Sequence, residues 1–224
     1  MRANLISDIP RFDRLKVGTG VDAWAVILFV DLRNSSRRAD EYGAKATYLT
    51  MHTYLPTMAY LVGKAGGHIV GYRGDGLFAA FGIDDTGHNP SDLDHGAEVQ
   101  ASIRCAKAMV EAVDDVINPV LAAADIPAGL RIGVGIDAHK VVITSIGLRS
   151  AYEVTAYGTA VNKAAKESDR GNGEVMISIR AKRMLPLSTT RHQWFKPYPN
   201  VNDALKVNYP TTYRMLQRTT TVLK

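Results

Sequence analysis

The pattern of apolar positions is most regular in one short segment near the start of the chain. Residues 25–32, Ala-Val-Ile-Leu-Phe-Val-Asp-Leu, are all apolar except Asp31. An apolar run without alternation is typical of a strand that is buried on both faces. Burying a carboxylate there costs several kcal/mol unless a partner pairs with it. We therefore expect a buried strand that delivers Asp31 to the edge of a sheet.

Two further apolar runs flank a Gly-Asp-Gly turn. Ile69-Val70 and residues 77–81 predict a β-hairpin over residues 68–81 with Asp75 at its tip. Turn chemistry selects aspartate beside glycine, so Asp75 by itself is no sign of function. Together with Asp31 it gives two carboxylates at two strand ends. That is what a pair of magnesium ions holding a triphosphate would need.

The rest of the pattern predicts an α+β fold in which helices pack on a split βαβ sheet. The chain is expected to begin with an arm or short strand over 1–22, followed after the first strand by one helix over 39–63 or two helices interrupted near Pro56. An amphipathic helix is expected from Asp92 to about Ala124, ended or kinked by Pro119. The later elements are a strand pair at 130–136 and 141–146, a helix at 159–168, a strand at 175–178, a short helix at 179–185, and weak β-structure at 194–195, 204–207 and 212–216. Ser35 or Ser36 is expected to cap the first helix.

Length and composition favour one domain in a reducing compartment. The 224 residues contain no Pro/Ser-rich linker, so we expect a single domain over 1–224 with its core at about 25–216. No apolar stretch approaches the ~18 to 20 residues that cross a bilayer, and no secretory signal is evident. The one cysteine, Cys105, precludes an internal disulfide and favours the cytoplasm.

The net charge narrows the choice of partners. It is +5, with a pI near 9.3, which is compatible with a polyanionic substrate. No basic block is dense enough to indicate nucleic acid, so we expect neither a nucleic-acid partner nor a membrane.

Four segments resemble, in order and spacing, the motifs of the class III nucleotidyl cyclases. They are residues 29–36, 66–82, 131–136 and 157–166, within a region from about 25 to 178 that makes up roughly two thirds of the chain. The resemblance implies a ferredoxin-like, palm-type βαββαβ sheet with helices packed on it. Departures from the purine enzymes make the chain most similar to the bacterial pyrimidine cyclases of the Pycsar antiphage systems.

The resemblance also implies a reaction and its metals. A ribose 3′-hydroxyl attacks the α-phosphorus of a nucleoside triphosphate, pyrophosphate leaves, and a 3′,5′-cyclic monophosphate forms. Asp31 and Asp75 would bind two divalent cations, Mg²⁺ or Mn²⁺, with Leu32 as a further metal ligand. Such a transfer needs charge neutralisation and alignment more than covalent help.

Asn162 and Lys166 match the family positions that act on the ribose and the transition state. They lie four residues apart, on one helical face. The family has an arginine where this chain has Lys166, and lysine keeps the charge but loses the two-pronged geometry. Arg170 is an alternative source of that geometry. The resemblance assigns phosphate binding to Ser35, Ser36 and, near the carboxyl end, Lys206.

Base selection is where the chain departs most from the purine enzymes. Adenylate cyclases place a lysine four residues before the second metal acid, and this chain has Gly71 there. Strand alternation puts Arg73 on the same face as Gly71 and Tyr72 on the opposite one. Arg73 could reach O2 or O4 of a pyrimidine, whereas the family's partner position, Thr155, could donate or accept. Tyr72 is also a candidate substrate-binding residue.

Uracil presents two carbonyl acceptors, so UTP is the predicted substrate and cyclic UMP the product, with CTP second and ATP third. Family members act as head-to-tail homodimers. Asp31 and Asp75 of one copy would then meet Thr155, Asn162 and Lys166 of the other. The product would be read by a separate effector protein in antiphage defence.

Two other readings of the sequence differ in class. A catalytically degenerate cyclase fold used for nucleotide sensing or dimerisation is supported by Lys166 in place of arginine and by Gly71 in place of lysine. A diguanylate-type palm enzyme would show a Gly-Gly-acid-Glu-Phe turn, and residues 73–77, Arg-Gly-Asp-Gly-Leu, do not fit it.

Overall fold

The structure is a computed structural model that describes residues 4–6, 15–83, 95–148, 151–185, 195–198 and 212–215. Its strands are β1 Asn4–Ile6, β2 Thr19–Leu32, β3 His68–Arg73, β4 Gly76–Phe81, β5 Ile132–Leu148, β6 Ala151–Tyr157, β7 Glu174–Ser178, β8 Phe195–Pro197 and β9 Thr212–Met215. Its helices are α1 Ser35–Lys64, α2 Gly96–Ala112, α3 Asn118–Ala123, α4 Thr159–Arg170 and α5 Ile179–Arg183, with a π-helical turn, Val113–Ile117, between α2 and α3.

The described strands form one nine-stranded sheet with β2 and β5 at its centre. The strand order is β3-β4-β2-β5-β7-β9-β8, with β1 paired to β2 and β6 paired to β5. Strand β2 runs antiparallel to both β4 and β5. The predicted α+β fold with helices packed on a sheet is confirmed.

Both faces of β2 are buried, which explains its unbroken apolar run. Val26, Leu28 and Val30 belong to a core cluster that also contains apolar residues of α1 and α2. Ala25 and Ile27 belong to a second cluster on the other face, together with residues of α4. The predicted doubly buried strand is therefore confirmed. It begins earlier than predicted, at Thr19, because residues 19–21 pair with β1 and with the far end of β5.

The predicted strand pair at 130–136 and 141–146 is wrong, because a single strand, β5, spans the whole segment. Its pairing with β2 continues through Asp137, which is fully buried and bonded to Ser178 and Arg180. The true antiparallel neighbour at this edge is β6, which was not predicted.

The first helix differs from the prediction at both its start and its break. It continues through Pro56 and instead breaks at Gly43, whose φ of 76° and ψ of 176° suit glycine. Asn34 occupies the N-cap position without a side-chain cap bond, so the predicted capping by Ser35 or Ser36 is wrong.

The remaining elements follow the prediction in outline. The hairpin, the helix α4, the strand β7 and the short helix α5 are all present. The long amphipathic helix is interrupted at the π-helical turn, and Pro119 lies in the first turn of α3. Strands β8 and β9 add β-structure at the sheet edge, whereas residues 204–207 lie outside the described part of the chain. Within the described chain, no helix is both long and apolar enough to cross a membrane.

Candidate active site

Two carboxylates lie side by side where β2 ends and β4 begins. Asp31 is paired across the ladder with Gly76, the residue that follows Asp75. A Cβ atom at position 76 would lie 3.1 Å from Oδ1 of Asp31, so glycine leaves room for that carboxylate. The hairpin turn thus brings Asp75 next to Asp31, as the sequence predicted.

The electrostatics of this pair leave negative charge only partly compensated. Burial raises the pKa of Asp31, and the nearby charge of Asp75 raises it further. Arg33 opposes the rise by donating a hydrogen bond to Oδ2 of Asp31. The guanidinium of Arg33 also lies 3.3 Å from the main-chain oxygen of Asp169, at the end of α4. Arg33 was not predicted as a partner of Asp31. It lies two residues beyond Asp31, the spacing at which side chains of an extended segment point to the same face.

The donor set at this end of the sheet fits a hard divalent cation. Magnesium is commonly bound by one or two protein carboxylates together with phosphates of the substrate. Asp31 and Asp75 supply such a pair, and burial of Asp31 followed by the charge of Asp75 raises the pKa of Asp31. The side chain of Leu32 is buried in the core, so this residue could contribute only its main-chain carbonyl. In the described part of the chain no cluster of three or more metal-ligating side chains occurs.

A second group of polar side chains joins β3 to β6. Nη2 of Arg73 donates to Oγ1 of Thr155 at 2.7 Å, and Nη1 donates to Oε1 of Glu153. The guanidinium carbon lies 5.4 Å from the centroid of the buried Phe78 ring. Two candidate base-binding residues, Arg73 and Thr155, are therefore brought together within one chain. Glu153 was missed, although it lies two residues before Thr155 on the same strand.

Gly71 lies beside this group at a position with no room for a side chain. A Cβ atom at position 71 would lie 2.9 Å from Cε1 of Phe78 and 3.6 Å from Oε1 of Glu153. Gly71 and Arg73 thus lie on the same face of β3, as strand alternation predicted. The side chain of Tyr72 points to the other face, half exposed, and only the main-chain oxygen of this residue contacts the group, by accepting from Arg73.

Helix α4 presents a third group. Asn162 and Lys166 are exposed on it, and neither side chain forms a hydrogen bond or an ion pair within the described chain. The opposite side of α4 packs directly on β5. At Gly135 a Cβ atom would lie only 2.0 Å from the main-chain oxygen of Ala164, so glycine allows this close approach.

Arg170 does not share the free surface of Asn162 and Lys166. Its Nη1 lies 2.9 Å from Oε1 of Glu167, which is fully buried and also pairs with Lys163 at 2.6 Å. The same nitrogen donates to Thr212 of β9. Arg170 therefore ties α4 to the edge of the sheet, which argues against the alternative that it replaces the family arginine.

Of the three predicted phosphate ligands, two lie within the described residues. Ser35 and Ser36 lie in the first turn of α1, directly after the strand that carries Asp31. Lys206 lies outside the described residues.

The chain also matches a known catalytic domain in sequence. The family model for the adenylate and guanylate cyclase catalytic domain matches residues 22–199, a segment that contains Asp31, Asp75, Asn162 and Lys166. The chain belongs to the class III nucleotidyl cyclases.

Relatives of this cyclase domain differ in the base of the nucleotide that their names indicate. A uridylate cyclase of Rhodovulum sp. (strain MB263) is 28% identical over 69% of this chain and 61% of its own length. A cytidylate cyclase of Escherichia coli is 30% identical over 70% of this chain, but over only 34% of its own length. The chain thus spans less than two thirds of each of these relatives.

Comparison with solved structures also shows the fold of a cyclase catalytic domain. The crystal structure of the adenylyl cyclase CyaB from P. aeruginosa superposes with a TM-score of 0.72 at 20% identity, covering 90% of this chain and 97% of that one.

Proposed function

We propose that this cyclase domain converts UTP to 3′,5′-cyclic UMP and pyrophosphate. The observation that carries the proposal is the placement of Asp31 and Asp75 side by side at the end of β2. Arg73, which is bonded to Thr155 in the same chain, belongs to the base-binding group that each copy would present to the acids of its partner. The similarity to uridylate and cytidylate cyclases supports a pyrimidine, and the two carbonyls of uracil suit an arginine that only donates.

The chain's own residues would act by positioning and charge. Two bound Mg²⁺ or Mn²⁺ ions would lower the pKa of the 3′-hydroxyl and neutralise the triphosphate. Asp31 and Asp75 would hold these ions, together with the carbonyl of Leu32. The bond between the 3′-oxygen and the α-phosphorus forms, the bond from that phosphorus to the pyrophosphate oxygen breaks, and the hydroxyl proton leaves to solvent. The first turn of α1, with Ser35 and Ser36, would face the phosphates, and Lys206 would add a charge.

A complete site on this proposal needs two copies of the chain. Within the described chain, Asn162 and Lys166 contact neither Asp31 nor Asp75, and both are exposed. In a head-to-tail homodimer, Asn162 of one copy would orient the ribose held at the acids of the other, and Lys166 would stabilise the charge on the transferring phosphorus. Mixing an Asp31→Ala chain with a Lys166→Ala chain should restore activity at one of the two sites. Failure to restore any activity would count against the shared site.

One observation favours a second candidate, a nucleotide-sensing module without catalysis. Arg170, the arginine nearest to Lys166 along α4, is held by the buried Glu167, so a single lysine must supply the charge at the transition state. Turnover of each of the four NTPs with Mn²⁺, followed by chromatography of the cyclic monophosphates, separates the candidates. Cyclic UMP that is lost in Asp75→Ala supports the proposal, cyclic CMP, AMP or GMP overturns the choice of base, and binding without turnover supports the module.

The product's use is inferred from the resemblance to antiphage cyclases alone. Cyclic UMP would serve as a second messenger read by a separate effector. Bacteria that carry the chain with its effector should then lose phage resistance on Asp75→Ala, and unchanged resistance would contradict this role.

A further inference from the structure

Glu153 holds a carboxylate directly beside the donor of the proposed base pocket. Its Oε1 accepts from Nη1 of Arg73, while Oε2 accepts no hydrogen bond in the described part of the chain. The side chain is half exposed, and its Oε1 would lie 3.6 Å from a Cβ atom at position 71. An acceptor with a free oxygen is thus fixed next to a guanidinium.

The contacts of Arg73 fix which of its N–H groups remain available. Three of its five guanidinium N–H groups are used, by the main-chain oxygen of Tyr72 at 3.1 Å, by Glu153 and by Thr155. The Nε–H and one Nη2–H remain. Stacking over Phe78 holds the group in place. The group therefore keeps two free donors on Arg73 and a free acceptor oxygen on Glu153.

We propose that Glu153 contacts the base itself and accepts the N3–H of uracil, beside the carbonyl that Arg73 contacts. This inference rests on the proposed function and extends it to the choice between the two pyrimidines. Uracil has an imide N3–H next to a carbonyl on each side, so it matches an acceptor beside a donor. Cytosine has no proton on N3, and its lone pair there would face the carboxylate. It could satisfy the same two groups only by shifting its ring so that the exocyclic amine reaches Glu153. Thr155 can donate or accept and so does not separate the two bases.

The test is the ratio of cyclic UMP to cyclic CMP formed from an equal mixture of UTP and CTP, which reports the ratio of the two kcat/KM values. Removing a hydrogen bond to a charged group should lower this ratio about 10- to 100-fold in Glu153→Ala. Glu41→Ala is the matched control, because Glu41 is also a half-exposed carboxylate paired with an arginine, on the outer surface of α1. It should leave the ratio unchanged.

A second comparison separates base contact from mere positioning of Arg73. If Glu153 only orients Arg73, then Glu153→Ala should have no effect on the ratio in an Arg73→Gln background. If it contacts the base, the ratio should still fall there. Should turnover of the double variant be too slow, the affinities of 3′-deoxy-UTP and 3′-deoxy-CTP, which cannot cyclise, give the same comparison.

A ratio that stays within twofold in Glu153→Ala overturns the inference, and so does a fall that disappears in the Arg73→Gln background. These outcomes leave the proposed function intact, because the wild-type chain would still form cyclic UMP. Wild-type chain that forms no cyclic UMP would instead overturn the proposed function, and this inference with it.

Discussion

Replacing Asp75 by asparagine should change the stability of the protein in opposite directions with and without a divalent cation. The charge of Asp75 raises the pKa of Asp31, so the two carboxylates repel one another in the folded state. Asparagine removes this charge but suits the same turn, and it leaves the Arg33 contact to Asp31 in place. Without metal, the variant should therefore be the more stable protein.

The magnitude follows from the position of the pair. Like charges about 4 Å apart repel by roughly 1 kcal/mol in water and about 4 kcal/mol at the effective dielectric of a protein surface. Asp31 is a quarter exposed and Asp75 is only partly buried, so solvent screening places the repulsion at the lower end. For a domain of this size about 1 kcal/mol corresponds to ~2–4 °C in Tm. Mn²⁺ at 100 times its Kd should stabilise the wild type by about 2.7 kcal/mol, and most of this gain should vanish in the variant.

The assay is thermal unfolding in EDTA and in a Mn²⁺ series, with Asp115→Asn, an exposed acid in the π-helical turn, as the control. The metal-free wild type should also lose stability as the pH rises from the ordinary pKa of an aspartate through the raised pKa of Asp31, because the folded state holds that proton more tightly. The loss should be smaller in the variant. A lower Tm for Asp75→Asn in EDTA, or an undiminished Mn²⁺ shift, would refute the reasoning.

Three other outcomes are expected. Lys166→Arg should raise kcat several-fold with little change in KM, because a guanidinium binds phosphate oxygens in two-pronged fashion, and a lower kcat would contradict this role. Glu167→Ala should lower the free energy of unfolding, measured by urea titration, by about 3 kcal/mol, because two cations of α4 lose their buried partner. A loss below about 1 kcal/mol would show that these ion pairs contribute little to stability. Burial raises the pKa of Cys105 to about 12, so Ellman's reagent at pH 8 should modify it only after unfolding, and rapid reaction of the native protein would be inconsistent with that burial.

The sequence by itself determined the elements whose signal is local. The unbroken apolar run of β2 and the Gly-Asp-Gly turn predicted where Asp31 and Asp75 lie, because hydrophobic periodicity and turn chemistry act over a few residues. The four-residue spacing of Asn162 and Lys166 likewise predicted that they share one face of a helix. The family motifs then assigned these residues to one kind of site.

Other features were decided only by contacts between distant segments. Strand β5 runs through Asp137 because pairing with β2 and a buried bond to Arg180 outweigh the local polarity of that segment. Gly43 rather than Pro56 breaks α1, because Gly43 adopts a backbone conformation with positive φ that suits glycine. In the same way, the roles of Arg33 and Glu153 follow only from the contacts that folding gives them with Asp31 and Arg73.

These features share one physical reason, which is that the role of a charged side chain depends on the groups that the fold places in contact with it. Arg73 and Glu153 are 80 positions apart in sequence, and no periodicity links them. The sheet joins them because β3 and β6 lie near each other above Phe78, at a place where Gly71 leaves room. Local sequence thus determined that the two acids lie at strand ends. Tertiary packing determined which charged groups surround Asp31 and which donors and acceptors surround Arg73.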